Sequence, residues 1–180
     1  DLAKAFALQP LAKGNRVGIV SVTGAGCVMA ADYSAEYGLE VAELSNETVK
    51  YIESYLPSWI KVKNPLDSEM LFESVGPEDC LKISLGGFLE DENVDCGLCV
   101  LPLAPMFTYD VETPIKEIRK KYPDKPIAIN LIGSKDMVDL WTKQLEDMKV
   151  PVYPSIQRCV RALGTLSKYP KVIRALHRHR

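Results

Sequence analysis

In the segment Val17-Gly18-Ile19-Val20-Ser21-Val22-Thr23-Gly24-Ala25-Gly26-Cys27-Val28-Met29-Ala30-Ala31, a β-branched strand passes through a glycine-bearing turn directly into a helix. Such a junction binds anions. Glycines permit φ > 0 and let a ligand approach the backbone, and a helix starting near Gly26 presents unpaired N–H groups and the positive end of its dipole. A phosphoryl group is the natural guest of Thr23, Gly24, Ala25, Gly26 and Cys27. The alternative is that Gly24 and Gly26 only permit tight packing of helix on strand, because a lone Gly-Ala-Gly is a weak signal.

Other residues able to do chemistry are sparse. Asp67, after Asn64-Pro65-Leu66, stands in a loop where its carboxylate can bond the glycine turn or cap a short helix; the competing reading of Asn64 to Asp67 is an Asx-stabilised turn fixed by proline. Ser134-Lys135 opens a helix at which a lysine can meet an anion, although a single surface lysine is usually just solvated. His177 and His179 are the only histidines and lie in a basic, frayed tail with Arg174, Arg178 and Arg180. No Ser-His-Asp set is therefore available in the core. Cys96-Gly97-Leu98-Cys99 has metal-ligand spacing, but it lies inside an apolar strand with no second Cys/His pair, so a core role is expected and no metal site.

At 180 residues and 20.0 kDa the chain is read as a single domain, 1–180, with a lead-in 1–14 and a basic tail 169–180, large enough for a core without staples. It opens on Asp1, which suggests a piece of a larger multidomain protein. A net charge of −2 with evenly mixed signs argues against nucleic acid and membrane surfaces as partners. Five cysteines, an odd number and mostly in apolar patterns, fit a reducing, cytoplasmic setting.

The elements that must position these residues alternate strand and helix. Strands are expected at Arg16 to Val22, Leu39 to Glu43, Val94 to Leu101, Pro126 to Ile132 and Val150 to Tyr153. Between them come a helix from Gly26 to Tyr37 stopped by Gly38, one capped by Ser45, and one from Pro77 to Leu89. Further helices are expected after a Thr113-Pro114 start, from Ser134, and from Ser155. Such alternation implies an α/β, three-layer, doubly wound parallel sheet, flavodoxin-like, in strand order 2-1-3-4-5. Ligands in these sheets bind beyond the carboxyl ends of the strands, which selects the loops Ser21 to Gly26, Lys63 to Asp67, Pro102 to Met106 and Asn130 to Lys135.

Several stretches together suggest a family: Gly14-Asn15-Arg16-Val17, Gly24-Ala25-Gly26, Val28 to Asp32, Gly38-Leu39-Glu40, Ala42 to Ser45, Asn64-Pro65-Leu66-Asp67, Pro77-Glu78-Asp79 and Asn93-Val94-Asp95. In order and spacing the chain resembles the last flavodoxin-like domain of the NDP-forming acyl-CoA ligases, the ADP-forming acetate–CoA ligases and their succinate–CoA ligase relatives. The resemblance implies a share in the reaction acid + CoA + ATP ⇌ acyl-CoA + ADP + phosphate, in which a histidine on a neighbouring domain carries the phosphoryl group. The helix after the glycine turn would help cradle that phosphohistidine. CoA, ATP/ADP, Mg and phosphate would belong to the parent reaction, with no cofactor held tightly here, and the partners would be a CoA-binding histidine domain and an ATP-grasp domain of the same protein or a partner subunit. Two departures stand out. Acetate-type ligases commonly carry Asn-Ala-Gly-Gly-Pro-Gly at the turn, where this chain has Val22 to Cys27, and Lys63 stands where a glycine often precedes Asn-Pro. They leave the acyl substrate open, along with a non-catalytic acyl-CoA-sensing or scaffold domain of an acetyltransferase-like relative. A further reading is an FMN-binding flavodoxin-like module: Ser21-Val22-Thr23-Gly24 partly imitates its phosphate loop, but Phe107 and Tyr109 are the only aromatics near the relevant strand end to flank a flavin.

Overall fold

The strand that carries the turn, β1 (Arg16–Ser21), is buried from Val17 onward because parallel neighbours flank it and helices cover both its faces. The computed structural model describes residues 1–103 and 110–178, the last three of these by backbone alone. Ala104 to Met106 of the third candidate loop, Phe107, Tyr109, His179 and Arg180, and the side chains of His177 and Arg178, lie outside the described residues.

The remaining strands are β2 (Glu40–Val41), β3 (Leu66–Asp67), β4 (Cys96–Pro102), β5 (Ile127–Ile132) and β6 (Val152–Tyr153). The sheet runs β2-β1-β4-β5-β6, and all its pairings are parallel. This is the expected doubly wound order with one addition: the two-residue β3 pairs with the carboxyl end of β1, Val20 opposite Leu66 and Ser21 opposite Asp67. Because β2 pairs only with Arg16 and Val17, the two short strands share one edge of β1. The Asn64 side chain fills the gap between them. Its Oδ1 accepts from Ile19 N at 2.9 Å, and its Nδ2 donates to Val17 O at 2.8 Å and Ala42 O at 2.9 Å, serving in place of a strand residue. The following peptide, Asn64-Pro65, is cis.

The helices are α1 (Leu2–Leu8), α2 (Gly24–Tyr37), α3 (Asn46–Glu53), α4 (Glu69–Val75), α5 (Pro77–Leu81), α6 (Gly87–Glu90), α7 (Glu112–Lys121), α8 (Lys135–Asp147) and α9 (Ile156–Arg178). α2 ends at Gly38, whose φ of 77° satisfies the left-handed cap. Ser45 caps α3 by accepting from Thr48 N at 3.2 Å. The helix expected over 77–89 is continuous but carries a π-helical turn at Lys82–Gly86 between α5 and α6. α7 departs from its expected start: Asp110, and not Thr113, receives the first amides, from Glu112 at 2.8 Å and Thr113 at 3.2 Å. α9 continues through Pro170 to Arg178, so the segment read as a frayed tail is helical to that point.

Two clusters of apolar side chains cover the faces of the sheet. One gathers Val20, Cys99, Leu101, Ile127 and Ile129 with the helices from α3 to α8, and the other gathers Val17, Ile19, Leu98 and Val100 with α1, α2 and α9. The lead-in is part of the fold. α1 is pinned to the far edge by Lys4, which pairs with Glu146 at 2.6 Å and lies 4.8 Å from the Tyr153 ring centroid, while Gln9 Oε1 accepts from Ile127 N at 2.6 Å.

Candidate functional site

The junction between β1 and α2 has no loop because Ser21 and Thr23 organise it. Ser21 Oγ, fully buried, donates to Thr23 O at 2.8 Å and accepts from Thr23 N at 3.1 Å, which turns the chain at the strand end. Thr23, with extended dihedrals of −143° and 136°, is the N-cap of α2, and its Oγ1 accepts from Gly26 N at 3.1 Å. The helix thus begins at Gly24, not near Gly26. This corrects the role of the glycines: both lie in the first helical turn, and among the described glycines positive φ occurs at Gly38 and Gly76 and at neither of these two.

The two glycines differ in their surroundings. A β-carbon at Gly26 would collide with Ser21 Oγ and stand 3.0 Å from Thr23 Oγ1, so Gly26 is required for the helix to lie against the strand end. A β-carbon at Gly24 would meet just one atom within 4 Å, Asp67 Oδ2 at 3.1 Å. Gly24 and Ala25 are exposed, and among the described residues their amides have no acceptor, so the first turn of α2 offers two free donors at its positive end.

Asp67 stands over this mouth. It pairs with Ser21 in the sheet, its Oδ1 accepts from Glu69 N at 3.3 Å at the start of α4, and its other oxygen faces Gly24. Burial, and then the Asp67 charge, push the Cys27 thiol up to about 11, so Cys27 is neutral beneath the turn and adds neither a charge nor a nucleophile. Asn64 holds β1, as described, and points into the sheet edge. Ser134 and Lys135 lie at the start of α8, with Lys135 ion-paired to the exposed Asp139 one turn on. Gly133 makes this turn close-fitting: a β-carbon there would stand 2.7 Å from Leu103 O. Ser21 was placed in a ligand-facing loop by the sequence, but its part in holding Thr23 was not read from it; the signal was a hydroxyl at the end of the strand.

Cys96 and Cys99, an odd number of residues apart on β4, belong to the clusters on opposite faces of the sheet and cannot share an ion. Among the described residues no group of three or more His, Cys, Asp or Glu is placed to hold a metal, and all five cysteines are free and buried.

Comparison with known proteins gives this geometry a context. The chain is 37% identical over 171 residues to acetate–CoA ligase [ADP-forming] II of Archaeoglobus fulgidus, a match covering 95% of the chain and 25% of the relative. The chain belongs to the ADP-forming acetate–CoA ligase family. It is 35% identical over 159 residues to the alpha subunit of acetate–CoA ligase [ADP-forming] II of Pyrococcus furiosus, with 85% of the chain and 33% of the subunit covered. The matched region spans a quarter to a third of the length of these relatives. A solved Pyrococcus horikoshii protein superposes with a TM-score of 0.80 at 28% identity, covering 94% of this chain and 39% of that one. The dinucleotide-forming acetyl-coenzyme A synthetase 1 of Candidatus Korarchaeum cryptofilum, solved with phosphate and ADP, superposes with a TM-score of 0.81 at 20% identity over 97% of the chain and 38% of the synthetase, a likeness of fold. No family model matches the sequence.

Proposed function

We propose that the chain is the domain of an ADP-forming acyl-CoA ligase that offers the first turn of α2 to a phosphorylated histidine carried by a neighbouring domain. The observation that carries this is the pair of exposed, acceptor-free amides of Gly24 and Ala25, set at the carboxyl end of β1 in a chain of the ligase family. The turn sits where doubly wound sheets bind their ligands. The domain positions and does not react: Thr23 and Ser21 fix the turn, the amides and helix dipole attract the phosphoryl oxygens, and Cys27 remains protonated. CoA, ATP/ADP and phosphate are substrates and products of the whole ligase and Mg the cation that accompanies its nucleotide, all bound with the help of its CoA-binding histidine domain and its ATP-grasp domain. A helix end contributes about 0.3–1 kcal/mol to an exposed anion, enough to bias an intermediate without making or breaking its bonds.

Asp67 sets the terms on which an anion enters. Its carboxylate already faces Gly24, so an incoming phosphoryl group displaces it or shares the mouth with a cation. Gly24→Val in the full-length ligase is the informative variant, because it adds bulk at the mouth and its β-carbon meets one atom within 4 Å, Asp67 Oδ2. Phosphohistidine level and acyl-CoA formation fall while thermal stability is kept. A variant that phosphorylates and turns over normally removes the cradle from the mechanism.

A further inference from the structure

A groove of about 440 Å³ lies on the face of the sheet opposite α2, between α3, the π-helical turn and α7. Its floor is Gly86, Gly87 and the buried side chain of Ile118, and Tyr51 forms a wall, its ring edge 3.4 Å from the position of a β-carbon on Gly87. π-helical turns recur at functional sites, and this one has a glycine floor that leaves the groove open.

The charges around the groove select its occupant. Lys82 pairs with Glu117 at 3.1 Å and Lys121 with Glu90 at 2.6 Å, so each pair is self-neutral. Glu47 is exposed and among the described residues has no cation, which leaves one uncompensated negative charge in the lining. It is one helical turn before Tyr51 on α3, so carboxylate and ring share a face of that helix. Tyr51 is 46% exposed and Tyr55, a further turn on, 40%; their rings pack edge to face at 5.5 Å. Phosphates, CoA and carboxylates are disfavoured by this lining. A planar, weakly hydrated cation that stacks on an aromatic face and forms paired bonds to a carboxylate is favoured, and that is a guanidinium.

We propose that this groove receives an arginine side chain presented by another domain or subunit of the parent ligase, its guanidinium between Glu47 and the Tyr51 ring and its stem over Gly86, Gly87 and Ile118. The inference rests on the reading of the chain as part of a larger ligase, since its match covers 25% and 33% of two relatives. Exposed tyrosines bordering a groove with an apolar floor and a charged rim are anchors of the kind that protein interfaces use.

Hydroxyl-radical labelling of Tyr51, read by mass spectrometry in the full-length ligase and in the 180-residue chain, tests it. Labelling is severalfold lower in the full-length protein. Glu47→Gln raises it part of the way and Glu47→Arg to the level of the isolated chain; because Glu47 stands in the first turn of α3, where an acid suits the helix dipole, both variants melt slightly lower but remain folded at the labelling temperature. Equal labelling of Tyr51 in the two wild-type proteins overturns the proposal, as does protection that survives Glu47→Arg. Protection that grows with concentration of the isolated chain identifies a second copy as the occupant and also overturns it. The readout needs no turnover, so a full-length protein that is protected but forms no acyl-CoA refutes the ligase reading and leaves the groove assignment standing.

Discussion

Ser21 Oγ occupies the volume that a side chain at Gly26 would need. The hydroxyl is simultaneously bonded to both backbone groups of Thr23, so it has no freedom to retreat. Gly26→Ala therefore destabilises the chain by about 1–3 kcal/mol, the usual cost of overpacking. Urea unfolding of Gly26→Ala and Gly24→Ala side by side checks this: the Gly26 variant unfolds at lower urea and the Gly24 variant close to wild type, as its β-carbon meets one carboxylate oxygen.

Asn64 is a backbone surrogate, and replacing it exposes that role. Asn64→Ala leaves Ile19 N and Ala42 O without this partner, while Val17 O keeps the bond from Ala42 N at 3.0 Å. Each stranded group costs about 1–3 kcal/mol. The loss of stability exceeds that of a typical surface change, and amide hydrogen exchange at Ile19 accelerates more than exchange at Val100 on the neighbouring β4. Equal protection at Ile19 in wild type and variant would falsify the surrogate role.

Acid weakens the Arg16–Asp95 clamp. Burial opposes the charge on Asp95, but the guanidinium and amide of Arg16, bonded to its Oδ2 at 2.9 and 3.0 Å, outweigh it and hold its carboxyl below the usual range. A depressed folded-state value means that this stability is complete above the unfolded carboxylate value, near 4, and is lost as pH falls through the lower folded value. Asp95→Asn is less stable than wild type at pH 7, and the gap between the two closes on acidification below about 4. A gap that stays constant down to pH 2 contradicts this.

Thiol chemistry reports the fold. Burial pushes Cys27 and Cys80 up to about 11 and also raises Cys96, Cys99 and Cys159, so all five resist alkylation in the native chain at pH 8 and react after unfolding. Cys27, at 8% the most exposed, reacts first during partial denaturation. A chelator leaves the melting temperature unchanged; a drop reveals a metal.

The fold was legible because its signals are local and repeated. Cys99 and Val100 in the apolar run that ends at Leu101, Gly38 after a helical pattern and Ser45 before another each state an element through its own sequence, and alternation of such elements admits few topologies. The helix start was misplaced by two residues because Gly24 and Gly26 look like turn residues, whereas the cap is written in Thr23, whose role depends on Ser21 holding it extended. α1 was invisible as an element because seven residues barely sustain a helix alone; its order comes from Lys4 and Gln9 reaching residues far along the chain.

The amino-acid sequence by itself determined the parallel doubly wound sheet, the alternation of its faces and the placing of Gly24-Ala25-Gly26 at the end of β1, since strand period, caps and breakers act between neighbours in the chain. Only the tertiary structure decided which glycine is open and which is pressed on Ser21, that Asp67 stands at the mouth of α2, that Asn64 completes the sheet, and that Glu47 borders a groove floored by Gly86 and Gly87. Those relations join residues from separate elements, and their distances follow from how the layers pack.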